Sequence, residues 1–169
     1  MNHLFPAYLL ILTLAGASPA LAGSAVGRVS VVDADTLELH GERIRLAAID
    51  APEARQTCRR DGKVWPCGRR AAFALADFLG SRTVTCSWRT RDRWRRAVAV
   101  CTVGKVDVGG WLVEQGWALA YRRYGKQYVA AEAEARAARR GLWAGSFVPP
   151  WAWRRGNAGE ITAESWPGA

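Results

Sequence analysis

Residues 25–49 read AVGRVSVVDADTLELHGERIRLAAI. Over residues 25–32 apolar and polar side chains alternate, the period of a half-buried strand. Asp33-Ala34-Asp35 is a turn signal, and Thr36 to His40 alternates again. Gly41-Glu42 marks a second turn, and Arg43 to Ile49 supplies a third strand. Three strands in direct succession form a meander, with no helix between them as a βαβ unit requires. Pro52 ends the third strand. Residues 54–66 are polar, carry Gly62 and Pro66, and read as a loop. From Gly68 to Leu79 the apolar positions Ala72, Leu75, Ala76 and Leu79 follow a helical period that Gly80 stops. Residues 82–88 and 96–103 read as two further strands, joined by the polar arm RTRDRWR. A short helix is expected over 107–115 with Asp107 as its N-cap, and a longer one over 126–140 ended by Gly141. Five short strands, one helix after the third and helices after the fifth, predict a small closed barrel of the OB type, mainly β with helices (α+β).

The remaining sequence bounds the chemistry. A chain of 169 residues, half of them hydrophobic, suits one compact domain with a real core. Its two histidines, His3 and His40, exclude an HExxH zinc site and leave a Ser-His-Asp triad only one route. The apolar run LFPAYLLILTLAGA (4–17) and the pattern Ala20-Leu21-Ala22 read as a signal peptide over residues 1–22. This predicts a domain over 23–155, periplasmic or secreted, without stable membrane association, and a mobile tail over 156–169. All four cysteines, Cys58, Cys67, Cys86 and Cys101, follow the leader, which favours disulfides over zinc. Three pairings are possible. A hairpin tip near Arg93 and Trp94 would set Cys86 opposite Cys101, and Cys58 and Cys67 flank one loop.

The formal net charge is +9, with 21 Arg against 3 Lys. The last thirteen residues carry only Glu160 and Glu164, so the body up to Gly156 is two charges more positive, +11. Such an excess on one small domain favours a polyanionic partner. Against it stand four acids near the first turn and the end of the third strand: Asp33, Asp35, Asp50 and Glu53. In a meander these two places can share one end of the sheet. Carboxylates there suit a hard cation, and Arg45 and Arg96 would add guanidinium groups. That is equipment for phosphodiester hydrolysis, where developing charge on phosphorus must be neutralised and a water activated. Read without further pattern, Asp33 and Asp35 serve equally well as turn formers, and Arg45 as a surface ion pair.

The ordered motifs VVDADTLEL, RLAAIDAPE and DRWRRAVAVC resemble those of the staphylococcal nuclease-like (thermonuclease) family. The resemblance runs from Val26 to Arg154 and takes in the segments Gly116–Ala118 and Gly141–Trp143. It implies an OB-fold barrel with three helices, and a monomeric, Ca²⁺-dependent nuclease that cleaves DNA and RNA to leave 3′-phosphates. Asp35 and Asp50 match the family's metal-ligating aspartates, and Ala51 matches the position that offers its backbone carbonyl to the metal. Glu53 matches the proposed general base, and Arg45 and Arg96 match the two catalytic arginines. Trp94 and Tyr124 are counterparts of the family's nucleotide-contacting tyrosines, offering ring faces for base stacking, and Arg93 beside them is read either as a phosphate contact or as a solvated side chain. Ala51 stands where the staphylococcal enzyme has Thr, and Arg95 where a Gly usually precedes the catalytic Arg. The alternative reading is a nucleic-acid-binding OB-fold module that does not cut.

Overall fold

The computed structural model describes residues 22–157 and 159–166. The leader read over 1–22 lies outside the described residues, apart from Ala22. Strand β1 (Gly23–Gly27) and strand β2 (Ser30–Asp33) come from the single strand expected over 25–32, divided at Arg28-Val29. Strands β3 (Thr36–Leu39) and β4 (Glu42–Leu46) continue the meander, and a two-residue strand β5 (Ile49–Asp50) follows. The hairpin of β6 (Cys58–Arg60) and β7 (Lys63–Trp65) precedes helix α1 (Cys67–Leu79). Strands β8 (Val84–Arg91), β9 (Ala97–Val103) and β10 (Val106–Asp107) lead into helix α2 (Val108–Glu114). Strand β11 (Leu119–Ala120), helix α3 (Val129–Ala137), a 3₁₀ turn (Gly141–Ala144) and helix α4 (Pro150–Trp153) complete the chain.

The main sheet runs β1-β8-β9-β4-β3-β2, with β10 added beside β9. β4 and β9 pair in parallel and the other neighbours are antiparallel. β1 and β2 therefore sit at opposite ends of the strand order, yet two residues join them. The sheet must curl round on itself to allow this, and that curl makes the six strands of this order, β1 and β2 together filling the place of one of the expected five, into an OB-type barrel. Alternation supplies the filling: Leu37, Leu39, Ile44, Leu46, Ala97, Ala99 and Cys101 are buried, and Leu75 and Leu79 of α1 and Leu112 of α2 pack into the same core.

Two expectations needed correction. The third strand does not run through to Ile49. Ala48 adopts φ +57, which turns the chain out of β4 and gives Asp50 a separate pairing, opposite Leu119 of β11. Residues 54–66 are not simply loop, because Asp61-Gly62 closes the β6–β7 hairpin with positive φ at both positions.

Both disulfides form, Cys58–Cys67 and Cys86–Cys101. The second joins residues directly opposite each other on β8 and β9. A smaller apolar cluster of Leu119, Leu142, Trp143 and Phe147 receives the C-terminal residues. There Phe147 bridges to Ile161, and Trp166 packs edge-on against Trp143. Among the described residues no helix is long and apolar enough to cross a membrane.

Candidate active site

A turn and a strand end bring the acids together. After β2, Ala34 N–H donates to Asp33 Oδ1, closing the turn that presents Asp35 at the start of β3. Asp35 is buried, and its Oδ2 accepts the Ala51 N–H at 3.1 Å. Asp50 is fully buried on β5. Arg45, on β4 opposite Thr36, reaches both carboxylates: its Nη1 pairs with Asp35 and its Nη2 with Asp50 Oδ1 at 2.7 Å. Burial works against the charge of Arg45, but the Asp35 and Asp50 carboxylates more than offset that and raise its pKa. Burial, with the Asp35 and Glu53 carboxylates adding to it against the Ala34 N–H and Arg45, pushes the Asp33 carboxyl up to about 6.

Glu53 follows Pro52 on a loop fixed by a residue that sequence reasoning missed. Gln56 is fully buried. Its Oε1 accepts from Glu53 N–H at 3.3 Å, its Nε2 donates to Val148 C=O at 2.6 Å, and its own N–H donates to Glu53 C=O at 2.7 Å. The N-terminus of α1 lies hard against this loop: a Cβ on Gly68 would stand 1.8 Å from the Glu53 carbonyl oxygen.

Arg96 comes from the β8–β9 hairpin. Asp92 was also missed, and it organises the tip. Its Oδ1 accepts the N–H groups of Trp94 and Arg96, both at 3.0 Å, and its Oδ2 accepts from Arg96 Nε and Nη2, both at 2.7 Å. Arg96 Nη1 reaches Thr36 Oγ1 at 3.4 Å, and that hydroxyl donates to Asp35 Oδ1 at 3.1 Å. Arg95 has φ +66, the left-handed conformation that a glycine adopts without strain. Trp94 is 62% exposed, with the Arg93 and Arg96 guanidinium carbons 4.0 and 5.1 Å from its ring centroid. Tyr124 is 69% exposed and meets Tyr121 edge-on at 5.1 Å.

These groups line one open cleft of about 1100 Å³, which also takes in Asp33, Arg123, Trp151 and Arg155. The structure thus brings Asp35, Arg45, Glu53, Arg93, Trp94, Arg96 and Tyr124 to one place, with Asp50 and Ala51 buried beneath it against Arg45 and Asp35. The cleft also holds an arginine on the acids that no motif marked. Arg154, just after α4, donates from Nη2 to Asp50 Oδ2 at 2.8 Å and from Nη1 to Asp50 Oδ1 at 3.0 Å and Glu53 Oε1 at 2.7 Å. Burial opposes its charge, but the hydrogen bonds to Asp50 and Glu53 more than compensate and raise its pKa. Among the described residues no three His, Cys, Asp or Glu side chains converge on one point as a metal cluster. The oxygen donors are right for a hard cation, but here guanidinium groups join them.

Residues 43–145 match the family described as "Staphylococcal nuclease homologue". The chain belongs to this family, and its barrel is the OB-type α+β fold of that family. It is 40% identical over 123 residues to the "Succinoglycan biosynthesis protein ExoI" of Rhizobium meliloti (strain 1021), covering 70% of this chain and 64% of that protein. It is 34% identical over 145 residues to an "Uncharacterized endonuclease" of Escherichia coli O157:H7, covering 80% and 89% of the two chains. With the "Micrococcal nuclease" of Shigella flexneri the identity is 34% over 147 residues, covering 76% and 79%. Arg45, Asp50, Glu53 and Arg96 lie within the matched family segment, whereas Asp35 and Arg154 lie outside it.

Proposed function

We propose that this protein is an exported, Ca²⁺-dependent, sugar-nonspecific nuclease that hydrolyses phosphodiester bonds of DNA and RNA and leaves 3′-phosphates. The observation that carries this is the meeting of Asp35, Asp50 and Glu53 with Arg45 and Arg96 in one cleft rimmed by exposed rings. Asp35, Asp50 and the Ala51 carbonyl would hold the cation. Bound there, Ca²⁺ supplies charge neutralisation at the scissile phosphate. Glu53 takes the proton of the attacking water. Arg45 and Arg96 offer guanidinium forks to the equatorial oxygens as phosphorus becomes pentacoordinate. Trp94 and Tyr124 give flat faces on which any base can stack, which fits indifference to sequence and sugar, and Arg93 adds a phosphate contact beside them. Two disulfides support export to the periplasm or beyond after removal of residues 1–22. We take the working unit to be a monomer.

The test uses the oxidised chain from Gly23 onward and single-stranded DNA, with Ca²⁺ or with EGTA, beside a Glu53→Gln variant. Cleavage that needs Ca²⁺ and falls by two or more orders of magnitude in the variant is the expected result. Tight binding with no cleavage under any divalent ion would overturn the enzyme reading and leave a nucleic-acid-binding barrel.

A further inference from the structure

Arg154 creates a conflict with the proposed chemistry, and its resolution gives the residue a role. Its guanidinium holds both oxygens of Asp50 and one of Glu53, the carboxylates that the nuclease reading assigns to the cation and to the attacking water. A divalent cation and a guanidinium on the same carboxylate repel each other, and a Glu53 carboxylate that accepts from Arg154 is a weaker base toward water. The two arginines on Asp50 differ in how they are held. Arg45 stands on the central sheet strand β4, and its side chain is 17% exposed. Arg154 follows a four-residue helix at the cleft rim, and its side chain is 38% exposed. The backbone beneath it is anchored, because Trp151 stacks on Tyr121 with ring centroids 5.4 Å apart and an interplanar angle of 10°. A long side chain on a fixed backbone can change partner without moving the fold. Around it the cleft offers further cations, Arg123 and Arg155. Once off the acids, its natural partner is the phosphate backbone of a substrate.

We propose that Arg154 is a fourth substrate-binding arginine beside Arg45, Arg93 and Arg96, parked on Asp50 and Glu53 until a divalent cation takes Asp50, and then free to contact a substrate phosphate. This rests on the nuclease reading above. Parked, Arg154 neutralises an acid cluster that would otherwise repel a polyanion. Released, it adds positive charge to the same cleft at the moment the cation is in place. Cation binding and substrate binding are thereby linked through one side chain.

The experiment has two arms and uses the full chain, exported so that its leader is processed and its disulfides form. In the first, Ca²⁺ is titrated calorimetrically without nucleic acid into the wild type, Arg154→Met, Arg154→Lys and Arg155→Met, each checked for its thermal transition. Arg154→Met is expected to bind Ca²⁺ at least tenfold more tightly, Arg154→Lys to fall between, and Arg155→Met to stay within twofold of the wild type. Equal or weaker Ca²⁺ affinity in folded Arg154→Met overturns the parked arrangement. In the second arm, a fluorescent oligothymidylate is bound at saturating Ca²⁺ by Glu53→Gln protein, with and without Arg154→Met. Loss of Arg154 is expected to weaken binding about fivefold. It should also reduce the slope of log affinity against log salt by about 0.7, the share of one phosphate contact on a single strand. An unchanged slope overturns the phosphate role. If neither protein takes up Ca²⁺, this proposal falls together with the cation reading. If Ca²⁺ binds more tightly to the variant but the wild type never cuts, only the nuclease reading falls.

Discussion

Replacing Gln56 by Leu tests whether one buried amide holds Glu53, the proposed general base, in place. The side chain is fully buried and joins two backbone groups 95 residues apart in sequence, Glu53 N–H at 3.3 Å and Val148 C=O at 2.6 Å. Leucine fills nearly the same volume but pairs with neither. Stranding a buried carbonyl costs about 2 kcal/mol, and losing the longer bond to Glu53 about 1 kcal/mol. Burying an apolar group in place of an amide returns about 1 kcal/mol. The net loss is about 2 kcal/mol, which for a domain of this size lowers Tm by about 8 °C. Activity should suffer separately. The Glu53 loop loses its side-chain tie to the segment leading into α4, and a base displaced by about 1 Å costs about 100-fold in rate. The expected result is a large fall in kcat with little change in KM, because Arg93, Trp94 and Arg96 are untouched. Thermal unfolding and steady-state cleavage of a short oligonucleotide measure both effects. A Tm within 2 °C of the wild type together with an unchanged kcat would refute this account of the loop.

Gly68→Ala places a Cβ 1.8 Å from the Glu53 carbonyl oxygen. The loop or α1 must move, with a stability loss of about 2–3 kcal/mol and a fall in kcat, read by the same two assays. Cys86→Ala with Cys101→Ala opens a crosslink spanning 15 residues and should cost about 3 kcal/mol in urea unfolding, while cleavage at low temperature persists because β8–β9 pairing remains. Arg122→Met strands the buried Glu132 carboxylate, which now pairs with Arg122 at 2.6 Å and accepts Ala120 N–H at 2.9 Å. We expect a loss of about 3–5 kcal/mol, much of it recovered when Glu132→Gln is added. Burial first, then the Asp107 carboxylate that its hydroxyl meets at 2.9 Å, raises the pKa of Tyr128 well above its ordinary value. The folded state therefore holds that proton more tightly than the unfolded chain, so stability falls as pH rises above about 10. Tyr128→Phe should flatten that alkaline decline in chemical denaturation measured across pH.

The barrel was legible because its strands obey a period of two and its turns carry Asp or Gly signals. The cross-strand arithmetic that set Cys86 against Cys101 holds in the observed register, where Thr85 faces Thr102 and Ser87 faces Val100. What escaped was backbone conformation that residue type does not announce. Nothing in Arg28-Val29 marks the point where one alternating run leaves β8 for β3, because both halves alternate equally well. Ala48 at φ +57 ends β4 although alanine disfavours that conformation, so the strand reads three residues too long. The β6–β7 hairpin was different, since Asp61-Gly62 is a standard two-residue turn signal. The polar residues on both sides of it, Arg59, Arg60 and Lys63, hide the alternation that would mark two strands.

In the site, legibility followed sequence distance. Asp35 and Arg45 lie within one meander and strand pairing brings them to one end, Asp50 and Glu53 follow within a few residues of it, and Arg96 joins through the parallel pairing of β9 with β4. Arg154 meets Asp50 across 104 residues and Glu53 across 101, and one arginine among 21 carries no mark of that fate. Its place is decided by packing: Trp151 on Tyr121, and Phe147 in the second core cluster, fix the α4 backbone over the acids. Gln56 escaped for the same reason, as its partner Val148 is 92 residues away. Those two late contacts meet at Glu53. Gln56 binds the Glu53 loop to Val148, and Val148 leads through Pro149 into the helix that delivers Arg154. The C-terminal segment thus holds the acids twice, once by a buried amide that keeps the loop still and once by a guanidinium at the rim. The amide is enclosed between its two backbone partners, whereas the guanidinium faces an open cleft lined by Arg45, Arg93, Arg96, Arg123 and Arg155.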